Sequence, residues 1–176
     1  MNVRIEKPHI ALLPSFLEFG AEMAARGETL WDGYYPKDGE SKEAFIERQI
    51  RRAINPEPPL VPETVYWAVT DDQVVGRISL RHCIEGRLLI MGGHIGYEVR
   101  PSYRRHGIAR EILRQVLLTP RAIEIGRLLL TCSPDNVASN KTILANGGKL
   151  TETVYVNSEY GHKNHYWIDL TSTMQT

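Results

Sequence analysis

Residues 92–109 constrain the fold of this chain more than any other stretch of its sequence. The segment Ile95–Val99 predicts a short strand, and a basic loop that ends at Gly107 follows it. Apolar side chains then recur at the spacing of an amphipathic helix, at Ile108, Ile112, Leu113, Val116 and Leu117. A strand that enters a helix through such a loop leaves the first backbone N–H groups of the helix unpaired, and these groups can hold a phosphate. The stretch therefore predicts an anion site at the start of this helix.

Glycine and positive charge in the loop favour the same interpretation. Gly107 lets the backbone approach an anion closely, and Arg104 and Arg105 add positive charge beside it. The small side chain of Ala109 keeps the first helical turn open. A plain basic turn before a surface helix would contain the same residue types, so the flanking sequence has to separate the two interpretations.

The loop and its flanks resemble the signature of the GNAT superfamily of acyl-CoA-dependent N-acetyltransferases. Residues 104–109 match the pattern (Gln/Arg)-x-x-Gly-x-(Gly/Ala), and Val99–Tyr103 is similar to its usual lead-in. A second family stretch, Asn-x-x-(Ala/Ser) followed by glycine, has its counterpart in Asn136–Asn140 and Gly147-Gly148. The sequence looks most similar to a poorly characterised bacterial branch of predicted acetyltransferases.

This resemblance implies that the chain uses acetyl-CoA as a co-substrate and has no metal site. In the family, backbone N–H groups of the loop hold the pyrophosphate, and the pantetheine arm lies between two strands that splay apart. The cofactor-binding residues implied in this way are Tyr97, Val99, Arg104, Arg105, His106, Gly107, Ile108, Ala109, Asn136 and Asn140. For Asn136 an alternative stays open, because asparagine is an equally good helix N-cap.

Length and composition predict one soluble globular domain. The chain has 176 residues, of which 42 % are hydrophobic and 24 % charged. The 21 lysine and arginine residues balance the 21 aspartate and glutamate residues, so no net field favours nucleic acid or a membrane surface. The N-terminus lacks the apolar stretch of a signal peptide, and Cys83 and Cys132 form no metal or redox motif. We therefore expect a cytoplasmic protein with two buried thiols and no nucleic-acid or membrane partner; whether it forms a homodimer is left open.

Turn and cap signals divide the chain into helices and strands. Helices are predicted between His9 and Arg26, from Ser41 to Ile54, from Gly107 through a kink at Thr119-Pro120 to Ile125, and from Asn136 to Asn146. Strands are predicted at residues 3–6, 64–70, 74–83, 95–99, 127–132, 149–156 and 163–170, with a tight hairpin turn at Asp71-Asp72-Gln73. The same order of elements occurs in the GNAT fold, so the resemblance covers nearly the whole chain. It implies an α/β (mixed α+β) fold in a single N-acetyltransferase domain, residues 1–176, with a mixed central sheet of about seven strands flanked by about four helices.

Transfer of an acyl group from a thioester to an amine needs a neutral amine, a polarised carbonyl and a proton for the leaving thiolate. The resemblance implies that a backbone N–H at or near Val99 polarises the carbonyl. Glu98 and His94 are the candidate bases, since they share the face of the predicted strand that should point to the cleft. Glu98 comes first because it lies nearer the cofactor loop. Two alternatives stay open: Glu98 paired with Arg100 or Arg104, and His94 as a hydrogen-bonded structural residue.

The proton donor is the point at which the sequence departs from the family. Many GNAT enzymes have a tyrosine seven residues after the motif asparagine, and counting from Asn136 gives Ile143, which cannot donate a proton. Either another group (Tyr97, Tyr155 or water) protonates the thiolate, or the thiolate leaves without help.

The connection between the first two helices contains three aromatic residues, Trp31, Tyr34 and Tyr35. It stands where the family builds its acceptor pocket, and aromatic faces can bind an apolar group or a cationic amine. These three residues are therefore the predicted substrate-binding residues. A local hydrophobic plug, formed by the same side chains, is the alternative.

The sequence thus predicts an N-acyltransferase that moves an acetyl group from acetyl-CoA directly to a primary amine of a small molecule, peptide or protein. A non-catalytic acyl-CoA-binding or sensing module is the alternative, and Ile143 is its best support. A dinucleotide-binding oxidoreductase fits poorly, because the glycine loop does not have the Gly-x-Gly-x-x-Gly pattern and comes late in the chain.

Overall fold

A computed structural model describes residues 1–31 and 33–171 of the chain. Its strands are β1 (Arg4–Glu6), β2 (Glu63–Thr70), β3 (Gln73–Arg81), β4 (Ile95–Val99), β5 (Arg127–Cys132), β6 (Lys149–Asn157) and β7 (Gly161–Asp169). Its helices are α1 (Leu13–Ala25), α2 (Lys42–Arg51), α3 (Arg87–Ile90), α4 (Ile108–Leu117), α5 (Pro120–Ile125) and α6 (Val137–Leu144). The predicted α/β class, the seven strands and the order of the main elements are confirmed.

The number of helices differs from the four predicted. α3 has only 4 residues, too short for a periodic pattern to show in the sequence. At Thr119-Pro120 the expected kink is a break between two helices, since the Thr119 hydroxyl oxygen accepts the N–H of Ala122 at 3.3 Å and caps α5. The N-cap predicted at Ser41 is confirmed, with the N–H of Ala44 donating to its side chain at 3.2 Å.

The strands form two antiparallel sheets, one in the order β1-β2-β3-β4 and the other in the order β5-β7-β6. β2 and β3 are joined by a tight turn at Asp71 and Asp72, whose φ values of 47° and 58° are those of a type I′ hairpin. In β3 and β4 the register places Arg77 opposite Glu98 and Gly76 opposite Val99. β4 is an edge strand of the first sheet and β5 is an edge strand of the second, and these two strands contact each other.

His94, just before β4, joins the two sheets. Its backbone N–H donates to the carbonyl of Leu129 in β5 at 2.7 Å, and its Nδ1 accepts the N–H of Leu129 at 2.9 Å. Gly93 makes this approach possible, because its φ is +58° and an added Cβ would lie 2.3 Å from the Leu129 carbonyl oxygen. His94 is buried, and it is this burial that lowers the pKa of its ring, so the neutral form that can accept the bond is favoured.

Helices cover both faces of the first sheet. Successive residues of β2 point to opposite faces: Trp67 belongs to one buried cluster and Ala68 to the other. On one side, the apolar stripe of α4 predicted from the sequence is buried against β1, β3 and β4. On the other, the ring of Phe16 from α1 stacks on Trp67 with centroids 4.4 Å apart. Both faces of the sheet are therefore core, and the edge of β4 is left for a site.

One of the two thiols, that of Cys83, differs from expectation. Cys132 is buried, and this burial raises the pKa of its thiol to about 11, whereas Cys83 is exposed and not in the core as predicted. None of the helices in the described ranges is long and apolar enough to cross a membrane.

Replacing His94 by alanine should weaken the join between the sheets. Leaving the N–H of Leu129 without its acceptor should lower the free energy of unfolding by about 1–3 kcal/mol. Because the pKa of His94 is lowered in the folded state, the unfolded chain binds this proton more readily, and the stabilisation present above about pH 6.5 is lost as the pH falls. Urea denaturation at several pH values should show a less steep loss of stability on acidification for His94→Ala than for the wild type.

His106→Ala is the matched control, because His106 is exposed and lies outside the core. Equal acid sensitivity of the wild type and His94→Ala would contradict a role for this side chain in joining the sheets.

Candidate active site

A cleft of about 780 Å³ lies beside the end of β4. Tyr97, Glu98 and Val99 of β4 line one side, and the loop and first turn before and within α4 line a second. The start of α6 contributes Asn136, Ala138, Ser139 and Thr142, and the end of α1 with the segment after it contributes Met23, Gly27, Glu28, Thr29 and Trp31. The cleft therefore brings together most of the regions that the sequence pointed to.

The glycine loop forms one end of the cleft as predicted. Gly107 is the N-cap of α4 with φ +78°, and nothing lies within 4 Å of the position that a Cβ would take. Because glycine has no side chain that could cap the helix, the first N–H groups of α4 are available to a ligand. Arg105 and Arg110 line the same end. The sequence prediction missed Arg110, although its place three residues into the helix could have indicated it.

Arg104 and His106 of this loop, which were also predicted to bind the cofactor, have side chains that make contacts within the protein. Arg104 lines the cleft, but its guanidinium is bound to Glu28 through two contacts of 2.7 Å and to the carbonyl of Val99 at 2.9 Å. His106 is exposed, outside the residues that line the cleft, with Nδ1 3.2 Å from the carbonyl of Tyr103. The backbone of the loop, more than these side chains, faces the cleft.

Glu98 lies at the cleft in a buried ion pair. Its Oε2 accepts from Nε of Arg77 at 3.1 Å, and the two side chains are 9 % and 4 % exposed. Within the described part of the chain, Oε1 of Glu98, Nη1 of Arg77 and the hydroxyl of Tyr35 have no hydrogen-bond partner. The alternatives that paired Glu98 with Arg100 or Arg104 are wrong. Arg77 was missed, although a charged residue at the centre of a largely apolar strand is a signal that the sequence contains.

A row of buried polar side chains extends from this pair. Both Arg77 and Arg52 lie over the ring of Tyr34, with guanidinium carbons 3.6 Å and 4.5 Å from the ring centroid. The Tyr34 hydroxyl donates to Glu63 at 2.7 Å, and Nε of Arg52 donates to the same carboxylate at 2.7 Å. Tyr34, predicted to bind the acceptor, thus lies outside the cleft and links α2, β2 and β3.

The other two aromatic residues of this segment, Tyr35 and Trp31, lie in different parts of the structure. Tyr35 stacks on Phe16 with centroids 5.0 Å apart, and burial raises the pKa of its hydroxyl. Trp31 is 57 % exposed and lines the cleft. The structure therefore brings Trp31 to the cleft and places Tyr34 and Tyr35 in the core, in line with the hydrophobic plug.

His94, the second candidate base, is not among the residues that line the cleft. Both its backbone N–H and its Nδ1 are bonded to Leu129, so the ring joins the sheets as described above. This is the structural alternative that the sequence left open.

The two asparagines of the second motif have different surroundings. Asn136 lines the cleft and also caps α6, since its side-chain oxygen accepts the N–H of Ser139 at 3.1 Å. Asn140 is outside the cleft: its amide donates to the carbonyl of Ser133 at 3.0 Å, and its oxygen accepts from Asn164 and Tyr166 at 2.9 Å and 2.5 Å. Asn140 therefore holds the turn between β5 and α6 against β7.

Ile143 is 1 % exposed and lies in the core, so the position at which the family often has tyrosine does not face the cleft. The ring of Tyr97 lines the cleft near Ser139 and Thr142, and its hydroxyl is buried with no hydrogen-bond partner among the described residues. Burial raises the pKa of Tyr97 to about 12. Tyr155 is exposed on β6, away from the cleft. Of the two tyrosines considered as proton donors, Tyr97 is the one at the site.

Comparisons with known proteins agree with this geometry. The family model for the acetyltransferase (GNAT) domain matches residues 3–149. A search of curated protein sequences gives no significant match.

Solved structures of similar fold include RimL, a ribosomal L7/L12 alpha-N-protein acetyltransferase in complex with coenzyme A. It is 18 % identical over 97 % of this chain and 95 % of its own, with a TM-score of 0.65. The microcin C7 self-immunity acetyltransferase MccE, solved with acetyl-CoA and AMP, is 16 % identical over 95 % and 92 %, with a TM-score of 0.66. RimJ of Mycobacterium smegmatis, solved with CoA-disulfide, is 15 % identical over 99 % and 84 %, with a TM-score of 0.67. At these identities the likeness shows the fold.

Removing one member of the buried Arg77–Glu98 pair should destabilise the fold strongly. Arg77→Met leaves the Glu98 carboxylate buried without its cation, which should cost about 3–5 kcal/mol in the free energy of unfolding. Glu98→Gln in the same background should recover part of that loss, because no buried charge is then left unpaired. Chemical denaturation of both variants measures the difference. A loss no larger than that of an exposed substitution such as Arg121→Met would show that the pair is not buried as described.

Proposed function

We propose that this chain, which belongs to the GNAT acetyltransferase family, transfers an acetyl group from acetyl-CoA directly to a primary amine. One observation carries the proposal. A single cleft is lined both by the N-terminal end of α4, which suits a phosphate, and by a buried carboxylate with one unpartnered oxygen among the described residues, which suits an amine. The cleft thus has a place for each of the two substrates.

Coenzyme A would be held mainly by backbone groups of this chain. The N–H groups of the first turn of α4 would bind the pyrophosphate, and Arg105 and Arg110 would add positive charge. The open space beside Gly107 is what close approach of an anion requires. When bound, acetyl-CoA supplies the thioester whose acetyl group is transferred.

The end of β4 would position the acyl group. The carbonyl of Val99 accepts from Arg104 at the edge of the cleft, so the backbone of Val99 is directed away from β3. Because a strand residue directs its N–H and C=O to the same side, the N–H of Val99 points the same way and can donate to an acyl oxygen. The sequence had placed this role at Val99 or its neighbour.

Glu98 would take the proton from the amine, directly or through water. Arg77 would fix the orientation of the carboxylate, since its guanidinium is buried against it. Positioning of the two reacting groups in one cleft would supply much of the rate. The Tyr97 hydroxyl, which has no hydrogen-bond partner among the described residues, would donate a hydrogen bond to the leaving thiolate.

The acceptor is a primary amine of a small molecule, peptide or protein. Trp31, exposed on the cleft, is the aromatic residue that could contact it. RimL is a ribosomal L7/L12 alpha-N-protein acetyltransferase and MccE a microcin C7 self-immunity acetyltransferase, so acetyltransferases of this fold serve different purposes. We place the reaction in the cytoplasm, where an exposed thiol such as Cys83 stays reduced.

A non-catalytic acyl-CoA-binding module remains the second candidate. Two observations favour it: Ile143 is in the core, and the carboxylate of Glu98 is already engaged by Arg77. Release of free thiol from acetyl-CoA with a panel of small primary amines and peptides would separate the two. An enzyme releases thiol faster with at least one amine, and a binding module does so with none.

Replacing Gly107 by valine should weaken binding of CoA by at least about tenfold, equivalent to about 1.4 kcal/mol. The added side chain fills the space that the phosphate needs and disfavours the positive φ of this residue. Isothermal titration calorimetry with CoA measures the effect. Gly147→Val is the matched control, because Gly147 has a similar φ of +84° and open surroundings but lies outside the cleft. Unchanged affinity in Gly107→Val would remove the assignment of the cofactor to this loop.

Replacing Glu98 by glutamine should lower turnover by roughly 100-fold while binding of CoA persists. The loss should be greatest at low pH, where the acceptor amine is mostly protonated and most needs a base. The pH dependence of thiol release measures this, with Glu124→Gln as a control that alters an exposed carboxylate outside the cleft. A pH–rate profile identical to that of the wild type would exclude Glu98 as the base.

A further inference from the structure

Arg81, the last residue of β3, is a partly buried arginine with no carboxylate partner among the described residues. It is one of six arginines in the described ranges that are buried or partly buried. The other five each form an ion pair with a glutamate of the chain, and they are Arg48, Arg52, Arg77, Arg100 and Arg104. A charge that is partly withdrawn from water is favoured by a counter-charge, and at Arg81 an anionic ligand could supply it.

The side chain of Arg81 is held in place by backbone carbonyls, which carry no net charge. Nη1 donates to the carbonyl of Gly92 at 3.2 Å and to that of Gly93 at 2.9 Å. Nε and Nη2 donate to no group in the described part of the chain, and neither atom is completely shielded from solvent. These two N–H groups form a planar fork that matches the two oxygens of a carboxylate. Arg81 is therefore fixed in position with a carboxylate-binding edge available.

Glu63 is the carboxylate that the strand register places opposite Arg81. Its oxygens are directed to other groups, since they accept from Nε of Arg52 at 2.7 Å and from the hydroxyl of Tyr34 at 2.7 Å. Its ion pair is with Arg52 and not with Arg81. The neighbouring strand therefore does not neutralise Arg81.

Arg81 lies on the same face of the sheet as Glu98. Side chains alternate along a strand, so Arg77, Ser79 and Arg81 of β3 share a face with Gly96 and Glu98 of β4. Nη2 of Arg81 lies 3.9 Å from the position that a Cβ of Gly96 would take, and the Ser79 hydroxyl lies 3.8 Å from it. Gly96 is itself partly exposed. Because it has no side chain, the surface of the sheet between Glu98 and Arg81 is open at this point.

We propose that Arg81 binds a carboxylate of the acceptor while the amine of the same molecule lies at Glu98. The inference rests on the proposed function, because it takes Glu98 as the place where the amine reacts. Gly96 and Glu98 are two residues apart on one strand, a distance of about 7 Å. An extended dipeptide spans about the same distance. The acceptor is therefore an amine with a carboxylate about two residue lengths away, either the C-terminus of a dipeptide or an acidic side chain at the second position of a peptide.

Matched acids and amides test the proposal, with acetyl-CoA as the donor and release of free thiol as the signal. Glycylglycine and glycylglycinamide differ in a C-terminal carboxylate. Two dipeptides amidated at the C-terminus, with glycine first and either aspartate or asparagine second, differ in a side-chain carboxylate. In the wild type, kcat/KM should be at least about tenfold higher for the acid of at least one pair, mainly through a lower KM. The pair that shows this preference identifies the source of the carboxylate.

Equal kcat/KM values within both pairs overturn the inference and leave the proposed function standing. Thiol release that no amine accelerates overturns both.

Gly96→Asp tests the assignment to Arg81 while that side chain keeps its bonds to Gly92 and Gly93. Gly96 has an ordinary strand conformation and a Cβ fits there, so the new carboxylate lies beside the guanidinium and competes with that of the acceptor. The ratio of kcat/KM for the acid to that for the amide should fall towards one. Gly96→Asn is the matched control, because it fills the same space without charge, and it should keep a higher ratio. Equal ratios in the two variants overturn the assignment.

Arg81→Gln removes the charge itself and should also bring this ratio close to one. Since it removes the bonds to Gly92 and Gly93 as well, circular dichroism and calorimetry with CoA check that the variant is folded. Arg121→Gln is the control, because Arg121 is an exposed arginine outside the cleft, and it should keep the wild-type ratio. A preference for the acid that survives in folded Arg81→Gln overturns the inference, because another group then binds the carboxylate. If Arg81→Gln does not fold, the comparison of Gly96→Asp with Gly96→Asn decides.

Discussion

The join at His94 is the constraint on which the cleft depends. The backbone and the imidazole of His94 both bond to Leu129, and Gly93 permits this only because it has no side chain. Further along β4, the residues pair with β3 and line the cleft where a neighbouring strand would otherwise lie. The two sheets are therefore held together at one end and leave backbone groups available at the other. A ligand can use those groups at no cost to the sheet.

The site is built on pairs of charges that also belong to the fold. Arg77 and Glu98 are opposite each other on β3 and β4, and Arg104 ties its loop to the segment after α1. A buried ion pair adds little net stability, because removing two charges from water costs about as much as their attraction returns. Its value here is geometric, since each pair fixes a carboxylate or a loop in one position. The ion pairs at this cleft therefore contribute to the orientation of groups more than to stability.

Local patterns predicted most of the fold and most of the segments that line the cleft. The caps at Ser41 and Asn136, the stripe of α4 and the turn at Asp71-Asp72 each depend on a few neighbouring residues, and all are found. The pairings between distant segments were not predicted, because they depend on register and on how a loop folds back. Composition indicated that the aromatic segment was important but could not show that Tyr34 turns inward. The same holds for Glu98, whose strand was predicted and whose partner was not.

The row from Arg52 through Glu63 and Tyr34 to Arg77 has a consequence for how this sequence can change over time. Each member contacts the next, and the pairing of Arg77 with Glu98 balances the two arginines with two carboxylates. A change at one position exposes its neighbours to an unpaired charge or hydroxyl, so substitutions here are acceptable mainly when a second one accompanies them. Related chains should therefore keep the whole row or replace it together, and these positions should covary although they are scattered along the sequence.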